Sequence, residues 1–62
     1  MVAPTEMRFQ VEVADPKLEA WSTVALRLSI EGALIELRIS RRDLPSRIFR
    51  IFDRQTGEVF RE

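Results

Sequence analysis

Thr23-Val24-Ala25-Leu26-Arg27-Leu28-Ser29-Ile30-Glu31-Gly32-Ala33-Leu34-Ile35-Glu36-Leu37-Arg38-Ile39-Ser40 is the stretch on which the fold turns. Val24, Leu26, Leu28 and Ile30 alternate with Ala25, Arg27 and Ser29, which is the period of a strand. Ile35, Leu37 and Ile39 alternate in the same way with Glu36, Arg38 and Ser40. Glu31-Gly32 between them supplies a turn, and two alternating runs around a glycine spell a hairpin. A helix competes for the same residues, because Leu18, Trp21, Ala25 and Leu28 recur at spacings of three, four and three. One helix over residues 16–39 would enclose Gly32 at a cost of only about 1 kcal/mol relative to alanine. We read a strand over 23–30 and a second over 35–39.

Outward toward the N-terminus, Asp15 suits a helix cap and Pro16 a first helical position, so residues 16–22 read as a short helical turn. Trp21, between that turn and an apolar run, reads as a core anchor. Met7, Phe9, Val11 and Val13 alternate with Arg8, Gln10 and Glu12, a half-buried strand. Residues 1–6 form a leader in which Pro4 blocks regular structure, without the basic-then-apolar order of a signal peptide.

Outward toward the C-terminus, residues 41–46 are a polar connector, and Pro45 excludes a central strand there. Ile48, Phe49, Ile51 and Phe52 follow, with Ile48, Arg50 and Phe52 on one face of a strand and Phe49 and Ile51 on the other. Asp53, Thr56 and Gly57 carry a turn: aspartate starts it and glycine supplies positive φ. Residues 47–61 therefore read as a β-hairpin. The expected fold is mainly β, a small α+β domain at most, with four to five antiparallel strands and one short helix or helical turn. Residues 7–62 make a single domain.

With 62 residues, the chain buries only about 60% of the surface its unfolded form exposes. Cysteine and histidine are absent, so disulfides, thiolate sites and the usual near-neutral base are excluded. Association with a protein partner, or with itself, remains as reinforcement for a thin core. The absence of cysteine fits a reducing cytoplasm. No apolar run nears the roughly 20 residues of a membrane helix. The charges sum to zero but are unevenly placed: three bases face six acids in residues 1–37, and seven bases face four acids in residues 38–62.

No catalytic constellation appears. The serines have no histidine or lysine partner arranged for nucleophilic chemistry. Carboxylate pairs such as Asp43 with Asp53, or Glu31 with Glu36, need a shielding cleft that so small a domain rarely encloses. Two glycines cannot make a phosphate loop, and the turn after Asp53 lacks the acidic repeats of a calcium loop. The expectation is a non-catalytic binding module with no metal, cofactor or small-molecule substrate. Its candidate partner-binding residues are Arg47, Phe49, Arg50, Phe52 and Arg54 on the last hairpin. Arg38, Arg41, Arg42, Arg47, Arg50 and Arg54, near Phe49 and Phe52, support an alternative, a small β-sheet nucleic-acid-binding protein that uses this arginine-rich C-terminal half, since guanidinium groups contact phosphate and aromatic rings stack on bases. The acids elsewhere in the chain weaken the net field that would draw in a polyanion.

Asp53, Thr56, Gly57, Glu58, Val59 and Arg61, with Phe60 as the apolar residue between the last two, occupy a spacing that resembles the C-terminal hairpin of the bacterial flagellar FlaG family. Leu37, Ile39 and Ser40 are similar to the strand that precedes it there. The likeness covers residues 36–62. The family has a long polar region where residues 7–13 here read as a strand. The resemblance implies an accessory role in flagellar filament assembly, with protein partners, a flagellum-associated location and no reaction.

Overall fold

A computed structural model describes residues 7–15, 17 and 20–61. The leader assigned to residues 1–6 lies outside them. Four strands and one helix follow in the order β1 (Phe9–Asp15), β2 (Ala20–Arg27), α1 (Ile30–Asp43), β3 (Phe49–Asp53) and β4 (Val59–Phe60). The strands form one antiparallel sheet in the order β2-β1-β3-β4. This is the expected small, mainly-β α+β fold. β2 and β3 both run antiparallel to β1, so they are parallel to each other, and α1 is the crossover that parallel strands require.

The alternation of β1 sets the two faces. Phe9, Val11 and Val13 point to one side and are buried. Their cross-strand neighbours on β3 are Asp53, Ile51 and Phe49. α1 lies across β2, β1 and β3 on that side. Ala33 and Leu37, one helical turn apart, complete the core, with Ala25, Ile30 and Leu34 packed against it.

The structure corrects the hairpin expected over residues 23–39. Its first strand exists but spans Ala20–Arg27; its second strand is helix. Ser29 starts that helix, its Oγ accepting from the Gly32 amide at 3.1 Å. Such a cap contributes about 1 kcal/mol. Gly32 is thus a first-turn residue, not a turn between strands. Ile35, Leu37 and Ile39 would share one face of a strand, yet Leu37 is 1% exposed while Ile35 and Ile39 are 57% and 41% exposed. Only a helix separates them so. The alternation in β2 is also broken: Val11 pairs with Ala25 but Glu12 with Thr23, leaving Val24 as a bulge. The bulge brings Thr23 to the same side of the sheet as Leu26, from which a regular strand would separate it.

Three smaller readings change with it. Ala20, Trp21 and Ser22 belong to β2, not to a helical turn; Pro16, Leu18 and Glu19 lie outside the described residues. Arg41 to Asp43 end α1, so the connector is only 44–48. Basic residues at that end complement the helix dipole. Trp21 is half-buried and lies outside the core.

The last hairpin forms as read. Gly57 has φ 82°, and its amide donates to the Asp53 carbonyl at 2.7 Å while the Asp53 amide donates to the Glu58 carbonyl at 2.8 Å.

Candidate functional site

The sheet has two unlike sides. α1 covers one; no described element covers the other. Side chains on the open side follow from the register. Leu26, Gln10, Phe52 and Val59 form one cross-strand row. Thr23, Glu12 and Arg50 form the next. Trp21 and Ala14 begin a third, which Ile48 extends through a 2.9 Å bond from the Ala14 amide to the Ile48 carbonyl. Alternation past β4 places Arg61 at the end of the middle row, beside Arg50.

The middle row is held in place by its own chemistry. Arg50 Nε donates to Glu12 Oε1 at 2.7 Å, and Gln10 Nε2 donates to Glu12 Oε2, also at 2.7 Å. Glu12 is thereby only 7% exposed although it sits on the open side. A carboxylate so shielded requires these partners, because an unpaired buried charge is costly. The Arg50 guanidinium carbon lies 4.0 Å from the centre of the Trp21 ring, and that of Arg61 lies 5.9 Å from it. These are cation–π contacts, with arginine on the ring type that binds cations best. The result is a chain, Gln10 to Glu12 to Arg50 to Trp21 to Arg61, that links all three rows across the open side.

The hairpin residues expected to bind divide between the sides. Arg50 and Phe52 lie on the open side. Phe49 does not: it is buried against α1, because β3 alternates and its odd-numbered positions face the helix. Arg47 is exposed at the rim, where it lines a small opening of about 140 Å³ with Ala14, Ser46 and Ile48. Arg54 is exposed in the turn, its Nη1 donating to the Met7 carbonyl at 3.3 Å.

Asp53 and Thr56 organise the turn. Asp53 Oδ1 accepts from the Gln55 amide at 2.9 Å and the Thr56 amide at 3.4 Å. Thr56 Oγ1 accepts from the Glu58 amide at 3.2 Å. Asp53 also receives a two-pronged contact from Arg8, Nε to Oδ1 at 2.9 Å and Nη2 to Oδ2 at 2.8 Å. The Arg8 hydrogen bonds, aided by the turn amides, hold the Asp53 carboxyl well below the usual carboxylate range. Asp53 in turn raises Arg8.

The sequence pattern does not single out Glu12, Trp21 and Arg61 as binding residues. Glu12 was legible as the outward residue of an alternating strand; Trp21 needed its pairing with Ala14, which no local pattern encodes. Among the described residues no group of three or more Asp or Glu is placed to hold a metal ion, and no helix is long and apolar enough to cross a membrane. Comparison with known proteins gives no match to a family model, a curated protein or a solved structure.

Proposed function

We propose that the chain is a non-catalytic protein-binding module that docks its partner on the open side of the sheet. The observation that carries this reading is the composition of that side. Trp21, Phe52, Leu26 and Val59 stand around a neutralised Arg50–Glu12 pair. Tryptophan, arginine and phenylalanine are the residues enriched in the centres of protein interfaces. Pre-positioned side chains lose little entropy on docking. The resemblance of the last hairpin to the flagellar FlaG family supports a partner within a filament assembly.

Two guanidinium groups on one indole ring support a second reading, a surface for single-stranded nucleic acid. Against it, Glu12 neutralises Arg50, and Arg50 occupies the ring that a base would stack on. A photocrosslinking residue at Thr23 or Val59, both exposed on the open side, separates the readings in cells. Protein adducts from these sites, absent when the label replaces Ile35 on the outer helix, are expected. Nucleic-acid adducts, or equal yields from Ile35, would overturn the proposal.

A further inference from the structure

We propose that the partner presents a carboxylate, an aspartate or glutamate set among apolar residues, to the Arg50 and Arg61 guanidinium groups on the open side of the sheet. The inference rests on the docking reading above and names the chemistry of its occupant.

The charges around Trp21 carry it. Two guanidinium groups reach this one indole ring, Arg50 at 4.0 Å and Arg61 at 5.9 Å from its centre. Only one carboxylate answers them. Glu12 gives one oxygen to Arg50 and the other to Gln10, and it is 7% exposed. Among the described residues no carboxylate pairs with Arg61. The site therefore holds one positive charge that its own acid does not cancel.

Arg50 supplies the geometry. A guanidinium carries five N–H donors, and Arg50 directs only Nε at Glu12. Among the described residues nothing accepts from its Nη1 or Nη2. No buried side-chain nitrogen there lacks a partner, so these two atoms reach the surface. Glu12 and Trp21 hold the group in place, and its outer edge stays open. A planar carboxylate accepts two parallel bonds from such an edge, and a fork already held loses little freedom on binding.

The apolar flanks follow from the rows. Along β3, Ile48 and Phe52 stand two residues to either side of Arg50, about 7 Å away by strand rise. An acid alone gains little from a wet arginine. Apolar residues beside that acid would cover Ile48 and Phe52 and keep water from the ion pair. A nucleic acid instead brings a charge at every phosphate, to a face with one uncompensated cation between apolar neighbours.

The test is selection of binders to the full chain from a displayed library of random peptides. The selected peptides should share an aspartate or glutamate with apolar neighbours. Changing that acid to its amide should weaken binding about tenfold, the worth of a charged hydrogen bond, read by fluorescence polarisation of a labelled peptide. Arg50→Lys, which keeps a cation for Glu12 but removes the fork, should weaken the acidic peptide and leave the amide peptide unchanged. Arg61→Gln should do the same, and it alters an exposed side chain, so the test stands even if Arg50→Lys does not fold. Peptides that share no acid, or equal losses for the acidic and amide peptides, overturn the proposal, as does a library that yields no binder. Tighter binding of an oligothymidylate strand, abolished by Arg61→Gln, also overturns it and assigns the guanidinium groups to phosphate. Phe52→Thr separates this inference from the docking reading. Acid-free peptides that it weakens leave the open side as the interface; peptides that it does not weaken overturn both.

Discussion

Asp53 joins two parts of the molecule to β3 through one carboxylate: Arg8 ahead of β1, and the last turn through its Gln55 and Thr56 amides. It is 1% exposed, and its folded-state pKa lies below its unfolded value. A depressed carboxylate pKa contributes stability that is fully present above the unfolded pKa of about 4 and is lost as pH falls from there. Urea midpoints should therefore drop between neutral pH and about pH 3. Asp53→Asn should lower the midpoint at neutral pH and make that drop shallower; an unchanged acid profile would show that the contact with Arg8 contributes nothing. Gly57 makes a separate demand. A Cβ at this position would meet no atom within 4 Å, so substitution acts through φ 82° alone. Gly57→Val should cost about 1 to 3 kcal/mol in chemical denaturation. Gly57→Asn should cost less, because asparagine tolerates this region.

The elements differ in how far local sequence determines them. The last hairpin was legible because its signals are chemical: an aspartate side chain caps amides and a glycine adopts positive φ, wherever the rest of the chain lies. Those requirements also explain Asp53, Thr56 and Gly57 of the family-like motif. β1 was legible because it alternates cleanly. α1 was not, because Ile35 and Ile39 flank Leu37 at strand spacing and are apolar without being buried. The signal that decides for the helix is Ser29 as cap, with Ala33 and Leu37 one turn apart beneath it. Paired substitutions test this directly. Leu37→Ala should cost about 2–5 kcal/mol, and Ile35→Ala should stay within about 0.5 kcal/mol. A strand would bury both and make the two costs similar.

At the scale of the whole molecule, one helix can cover only one side of a four-stranded sheet. An antiparallel sheet tolerates water on its other side, but that side here carries Trp21 and Phe52, not only polar residues. Edge pairing is poorly provided for: β2 is bulged at Val24 and β4 is two residues long, both devices that blunt an edge. The docking proposed above therefore uses the face. Binding residues on the last hairpin were legible as a group, but which of them face outward depends on the partner strand and the helix beneath, and so Phe49 was grouped with Phe52. The decisive measurement is a titration with a selected peptide, followed in two-dimensional nuclear magnetic resonance spectra. Signals of Gln10, Glu12, the Trp21 indole, Leu26, Phe52 and Val59 should shift together as the peptide is added while Ile35 and Ile39 stay fixed. Shifts confined to the outer helix would contradict docking on the open side of the sheet.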